Sequence, residues 1–389
     1  MDNKDTAIKE DRLKLAKQLM TDFASRTGLI GEGGDINRRY LWTDAFAART
    51  FFGLHQASGD ISYKIMALKL IAQVHETLGR FSATDDREGW ISGLSDQEGS
   101  NHPTVGGLRI GKRILERKAE ELFDERLEWE RDGQYFHYLT QWIYTLFRAE
   151  EETGEKNYSL WAIELTNAAL DHFVNHQGSL INMYWKMSID LSRPLVSHMG
   201  AHDPLDGFIC AKLSEQAVSN NKVNLEKGLL YMTNLCYGND WCTVDPLGIG
   251  ELLLSAVQIA KMPASIELPK ALQLEQLLYD IYKSLTIYTK STELRKPAEQ
   301  RLAFRECGLS LGLRCLKWIE KYTTSEVGLA LLKSIAIFIP LADTIENFWS
   351  HPENQKSSTW IEHRDINTVM LASSLQPQGV LGNHKGRSL

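Results

Sequence analysis

Two short stretches of this chain put chemically capable residues close together. Residues 197–207 read SHMGAHDPLDG and supply His198, His202, Asp203 and Asp206. Residues 128–138 read EWERDGQYFHY and supply Asp132, Gln134, Tyr135 and His137. Paired carboxylates can divide into a general acid and a base or nucleophile, as in glycoside hydrolysis. Imidazoles titrate near neutrality and can carry a proton to and from a carbon beside a carbonyl. Three further stretches have the same flavour. RRYLWTDAF (38–46) offers Arg38, Arg39, Tyr40, Trp42 and Asp44; NDWCTVDPLG (239–248) offers Asp240, Trp241 and Asp245; IEHRDIN (361–367) offers His363, Arg364, Asp365 and Asn367. The equivalent stretch EQRLAFREC (299–307) is less distinctive.

These stretches share a position: each stands just before an apolar segment with helical spacing. Apolar residues recur three and four apart through most of the chain, and runs of alternating β-branched residues are scarce. In 60–80, Ile61, Ile65, Leu68, Ile71 and Leu78 form one stripe; in 268–289, Leu268, Leu272, Leu278, Ile281, Leu285 and Tyr288 form another. Both have polar opposite faces, the pattern of helices packed on one side. Such outer-type segments are expected at 5–26, 60–80, 157–177, 221–236, 268–289 and 325–347. Segments richer in small and apolar residues are expected at 44–57, 133–153, 205–217, 246–261, 300–320 and 362–374. The two kinds alternate strictly, six of each. The expectation is an all-α fold of six helical hairpins closed into a toroid, one domain over 1–375, with the starts of the inner helices gathered at one mouth.

The pattern resembles the six-hairpin (α/α)6-barrel proteins, which include N-acylglucosamine 2-epimerases, unsaturated glucuronyl hydrolases and several glycoside hydrolase families. The resemblance covers nearly the whole chain and lies in architecture and loop style, with no diagnostic motif to align. It implies a carbohydrate-active protein and assigns no catalytic residue.

The repeated Asp-Pro-Leu, in DPLDG at 203–207 and DPLGIG at 245–250, reads first as a way to start a helix. The carboxylate accepts free amide hydrogens, and the proline takes an early position where no donor is needed. The same residues would line the mouth. As a hydrolase, the chain would use Asp132 with Asp203 or Asp206. As an epimerase or isomerase, it would use His202 and His363, with Arg39 or Arg364 holding an oxyanion. Trp42, Asp44, Trp90, Gln134, His137, Trp241 and Asp245 complete the expected sugar-binding set, since aromatic faces suit the C–H faces of sugars. A non-catalytic cup that binds a ligand or a partner is the alternative on the same fold.

Residues 81–113 are long and Gly-rich and are expected to form a loop over the mouth, with Trp90, His102 and Arg109 in it. Residues 114–131 carry Leu115, Ala119, Leu122 and Leu127 at helical spacing and read as a solvated helix. The end, 376–389, is polar and Gly-rich and reads as a mobile tail.

Several motifs match without their context. GGLRIGK (106–112) has P-loop spacing, but Arg113 stands where Ser or Thr would hold magnesium, and no strand precedes it. GLSLG (308–312) matches a nucleophile elbow around Ser310 but sits inside a helical pattern. His172 and His176 have i,i+4 spacing without the accompanying Glu; His198 and His202 are the better metal pair, although no metal or cofactor is expected. Cys236 and Cys242 flank YGNDW with no basic neighbour to activate a thiol.

Composition excludes other classes. The chain has 389 residues, 43% hydrophobic and 24% charged, with net charge −7 and no basic run. Nucleic acid and anionic membranes are not expected partners. The five cysteines follow no CxxC spacing, and the N-terminus lacks an apolar signal core, so a cytoplasmic protein with reduced thiols is expected. The apolar stretch 327–342 contains Lys333 and Pro340 and reads as a buried helix.

Overall fold

In a computed structural model, the described residues are 3–31, 38–175, 181–217, 225–263, 266 and 268–382. The chain is 66% helical, which makes it all-α. In order, the helices are α1 (Asn3–Arg26), α2 (Leu41–Ser58), α3 (Ile61–Leu78), α4 (Asp96–Asn101), α5 (Glu125–Glu130), α6 (Phe136–Thr153), α7 (Lys156–Phe173), α8 (Asp203–Ala217), α9 (Glu226–Cys236), α10 (Pro246–Ala260), α11 (Leu274–Tyr288), α12 (Ala303–Arg314), α13 (Leu316–Tyr322), α14 (Glu326–Ala336), α15 (Ile339–Ser350), α16 (Ser358–Glu362), α17 (Arg364–Leu375) and α18 (Gln378–Leu381). The expected inner and outer segments all correspond to helices in the expected order; the fifth inner and sixth outer segments are each broken into two.

The chain packs as two compact units, one of residues 1–25, 49–64 and 236–389, the other of residues 26–48 and 65–235. In the first unit, α10 and α12 approach closely. A Cβ on Gly250 would lie 2.1 Å from the Gly308 carbonyl oxygen, and one on Gly312 would lie 2.8 Å from the Gly250 Cα. That contact explains GLSLG: its glycines let two inner helices touch backbone to backbone. Ser310 donates to Glu346 Oε1 at 2.8 Å, so it braces α15 and has no elbow to sit on. The buried Glu346 also takes Arg314 Nη2 at 2.6 Å and pairs with Arg12 of α1. The run 326–350 is long and apolar enough to cross a membrane by length and composition, yet it breaks between α14 and α15, and α15 is held by this ion network.

In the second unit, α6 packs on α7 and α8. Its apolar face buries Phe136, Leu139, Ile143 and Leu146, and Gly154 at φ 76° ends it in the left-handed region. Thr145 Oγ1 reaches the Ala45 carbonyl at 3.1 Å, tying α6 to the first part of α2.

This unit also contains small strands that the sequence reading missed. β1 (Gln134–Tyr135), β4 (Lys186–Met187) and β5 (Pro194–Val196) form an antiparallel sheet, and β2 (Val174–Asn175) pairs with β3 (Asn182–Met183). Tyr135 stands opposite Lys186, and Lys186 opposite Val196.

Two expectations are corrected. Residues 114–131 are helical only over α5; Ile114 bridges to Arg131, and Leu122 is 94% exposed rather than part of a stripe. The reason is electrostatic: Arg117 pairs with the buried Glu128 at 2.9 Å and reaches the Leu195 carbonyl, which holds the segment extended. Of the expected tail, 376–382 is packed: α18 buries Val380 and Leu381, and Gly379 lies against Gly53 and the Arg49 carbonyl. Residues 383–389 lie outside the described residues.

Candidate active site

The GGLRIGK stretch is a brace. In the 26–48/65–235 unit, Asp132 is 1% exposed, and its carboxylate takes Arg109 Nη1 at 2.9 Å and the amides of Gly111 and Gly133 at 3.0 Å each. Gln134 is fully buried; its Oε1 accepts from the Leu108 amide at 2.8 Å, and its Nε2 donates to the Gly106 and Ile189 carbonyls. Two glycines permit this. Gly107 has φ 75° and would place a Cβ 2.0 Å from Gln134 Oε1; Gly111 has φ 96° and would place one 2.1 Å from the Arg39 carbonyl oxygen. Both side chains are therefore clamps. The oxygens of Asp132 are taken up by a guanidinium and two amides.

The clamps hold β1 and the start of α6 against the start of α2. There the rings converge. Tyr40 and Tyr138 share a hydroxyl hydrogen bond of 2.7 Å, with ring centroids 5.5 Å apart. Tyr135 lies 5.1 Å from Tyr138 and 5.6 Å from Trp185. Trp185 stacks on His137 at 6.2 Å and donates its indole N–H to His137 Nδ1 at 3.3 Å. Trp129 meets Trp185 edge-on at 4.6 Å, and His198 lies 6.5 Å from Trp185. Trp129 and His198 are exposed, and Trp185, His137, Tyr138 and Tyr40 are partly so. The result is a partly exposed aromatic cluster, a shallow basin of rings, built from the start of α2, the start of α6 and the segment leading into α8.

Its titration states follow from enclosure. Burial pushes the Tyr40 hydroxyl up to about 12, so it remains a hydrogen-bond donor at neutral pH. Enclosure pushes His137 down to about 3, and a neutral ring whose Nδ1 accepts from Trp185 carries its proton on Nε2.

Asp203 behaves unlike its counterpart Asp245. Asp245 caps α10 as expected, accepting from the Gly248 amide at 3.1 Å, and pairs with Arg305 at 2.7 Å. Asp203 is 3% exposed and turns back to the Gly200 amide at 2.8 Å. Burial, against the opposing Gly200 hydrogen bond, pushes its pKa up to about 7. A carboxyl of that kind can give and take a proton near neutrality.

The other expected site residues fall into three groups. Arg39, Trp42 and Asp44 are buried in the same unit, where Asp44 accepts the Tyr40 amide at 3.0 Å and Trp42 packs on Phe46. Trp90 is 3% exposed and sandwiched by Gly79, Gly99 and the Arg80 guanidinium, so it is core and offers no ligand face. Part of the 81–113 insertion packs on α7, with His102 on Glu164 and Thr104 on the Trp161 carbonyl, while its 106–111 stretch lies on Asp132 and Gln134. Asp206 is buried in the first turn of α8, and its amide donates to the His202 carbonyl at 3.1 Å. Trp241, Asp245, His363 and Arg364 belong to the other unit. Trp241 is buried and donates to the Ala271 carbonyl at 2.7 Å. His363 lies edge-on to Phe304 at 5.9 Å, beside Arg305, which pairs with Asp245. The starts of α10, α12 and α17 thus gather within that unit as well.

Trp129, Tyr138, Trp185, Lys112 and Lys186 were not singled out from the sequence. The apolar and aromatic run NMYWKM (182–187) was the available signal; it holds β3 and β4, with Trp185 at the bend between them. Among the described residues, the metal-capable group is Asp240, Cys242 and Asp280, with ligand atoms within 4.8 Å of one another, and not the His198/His202 pair. The Cys242 thiol is pushed up to about 11, chiefly by burial and by Asp240, so it stays protonated and is no nucleophile. His172 is exposed, and His176 lies outside the described residues. All five cysteines are free.

No family model and no curated protein matches this chain. A search of solved structures finds a similarity to cellobiose 2-epimerase from Spirochaeta thermophila DSM 6192, at 12% identity and a TM-score of 0.48, covering 96% of this chain and 98% of that one. The similarity is too low to carry an argument. What the chain itself defines is an all-α protein with a cluster of aromatic rings at the starts of α2 and α6.

Proposed function

We propose that the chain is a carbohydrate-active enzyme, and within that class a sugar epimerase or isomerase that works by proton transfer beside a carbonyl. The observation that carries this reading is the buried Asp203 carboxyl, poised near neutrality by its surroundings, in the unit that holds the aromatic basin. Trp129, Trp185 and Tyr135 offer faces for the C–H side of a sugar ring. Tyr40 and Tyr138 offer hydroxyls to its oxygens. Asp203 supplies one acid–base group, and His198 and His202 supply imidazoles nearby in sequence. The hydrolase reading is weaker, because Asp132, the expected second carboxylate, is spent on Arg109 and two amides.

The test is a set of reducing sugars incubated in D2O and followed by NMR. Proton transfer replaces the hydrogen on the carbon beside the carbonyl with deuterium, and Asp203→Asn should slow this by roughly 10²–10⁴. Glycosidic cleavage without exchange would transfer the chain to the hydrolases. Full activity in Asp203→Asn would remove Asp203 from the chemistry.

A further inference from the structure

The neighbours of His137 hold its imidazole in one charge state and one tautomer. His137 is the second residue of α6. Its ring stacks on Tyr135 at 5.5 Å and on Trp185 at 6.2 Å, and meets Tyr138 edge-on at 4.6 Å. The indole N–H of Trp185 points at Nδ1 from 3.3 Å. An indole N–H only donates, so Nδ1 must offer its lone pair. An imidazolium carries hydrogen on both nitrogens and could not accept this bond, so the contact excludes the charged ring. The start of α6 acts in the same direction, because a helix N-terminus disfavours a cation. Burial of the ring, which pushes His137 down to about 3, agrees with the geometry. The single hydrogen therefore sits on Nε2. That nitrogen makes no hydrogen bond among the described residues, yet it is not sealed off: the residue is partly exposed, and Nε2 is not one of the fully buried unpaired atoms. Trp185 also lies 6.5 Å from His198, in the segment that leads to Asp203. An uncharged N–H, fixed in direction and free of any protein partner, is left for an acceptor on a ligand.

From this placement we infer that His137 is a catalytic residue: its Nε2–H donates to the carbonyl oxygen of the open-chain sugar and holds the negative charge that gathers there, with Trp185 as its positioning residue. The inference rests on the proposed epimerase or isomerase reading and deepens it. A neutral imidazole can polarise a carbonyl in this way. When the base takes the proton from the carbon beside the carbonyl, the C–H electron pair forms a C=C bond and the C=O π pair moves onto the oxygen. The hydrogen bond from Nε2 strengthens as that charge grows, and the hydrogen stays on nitrogen. The oxygen's electron pair then re-forms C=O while the carbon takes a proton back on either face. Nothing is oxidised or reduced overall, and no co-reactant is consumed.

Two variants of the full chain separate the two ring nitrogens. The amide nitrogen of Gln reaches the place of Nε2, and that of Asn the place of Nδ1. In His137→Gln the amide oxygen accepts from Trp185 while the nitrogen donates to the sugar, so deuterium exchange from D2O into D-glucose, D-mannose or D-fructose should keep most of the wild-type rate. His137→Asn should lose roughly 10²–10³ in kcat with KM little changed, the loss expected for one oxyanion donor. Nitrogen NMR of the wild type at neutral pH should show His137 as the uncharged Nε2–H form. Trp185→Phe, which keeps a ring and removes the N–H, should shift its Nδ1 resonance. The wild-type spectrum decides the tautomer whether or not the variants fold. Full kcat in His137→Asn, or equal losses in the two folded variants, would overturn the role of Nε2 and leave the epimerase reading intact. A charged or Nδ1–H ring in the wild type would overturn it in the same way. No exchange into any sugar by the wild type would overturn both.

Discussion

Asp203→Asn should make the protein more stable at alkaline pH and leave it nearly unchanged at acid pH. In the folded chain the carboxyl titrates at about 7, against an ordinary value of 3.8, chiefly because burial penalises its charge. Between those values the folded state holds a proton that the unfolded state has lost, so stability falls as pH rises through this window. The difference of about three units corresponds to roughly 4 kcal/mol lost by pH 8 relative to pH 4. Asn keeps an oxygen for the Gly200 amide and has no charge to bury. For 389 residues unfolding together, the unfolding entropy near the midpoint is roughly 0.8 kcal/mol/K, so the variant should gain about 5 °C in Tm at pH 8. The assay is a paired thermal melt of wild type and variant at pH 4.5, 6, 7 and 8. The Tm difference should open with pH and level off above pH 7. Parallel curves would refute the reasoning, since they would mean that Asp203 is ionised at little cost.

Further outcomes follow from the same contacts. Asp132→Ala leaves the buried Arg109 guanidinium without its counter-ion and should cost about 3–5 kcal/mol, read as a fall in denaturation midpoint. Asp245→Ala removes the cap of α10 and a half-exposed partner of Arg305; about 1 kcal/mol is expected by the same assay, and a loss beyond 3 kcal/mol would point to a role past capping. Gly111→Ala forces a side chain onto the Arg39 carbonyl at φ 96° and should cost several kcal/mol while loosening the start of α2, seen as lost amide protection in hydrogen exchange.

The helical order was legible because burial on one side imposes a period of 3.6 residues, and that period survives without any tertiary knowledge. Asp245 and Pro246 announced a helix start for the same local reason. Asp203 shared their pattern and did something else, since the direction of its carboxyl is set by Gly200 and by burial, which spacing does not encode. The stripe of Leu115, Ala119, Leu122 and Leu127 misled because Arg117, Glu128 and Leu195 are far apart in sequence and their contacts override local periodicity. Asp132 and Gln134 carried the residue types of catalysis and proved to be braces, because the glycines of 106–111 bring backbone donors onto them. Trp185 was invisible as a site residue until the bend before β4 placed it beside His137.

The most direct test of the central claim is saturation-transfer NMR of reducing sugars with wild-type protein and with Trp185→Ala. A basin of aromatic faces should saturate the C–H protons on one side of a bound sugar ring, and removing Trp185 should erase that pattern while the fold persists by circular dichroism. Saturation that is undiminished in Trp185→Ala, or absent for every sugar tried, would contradict the account.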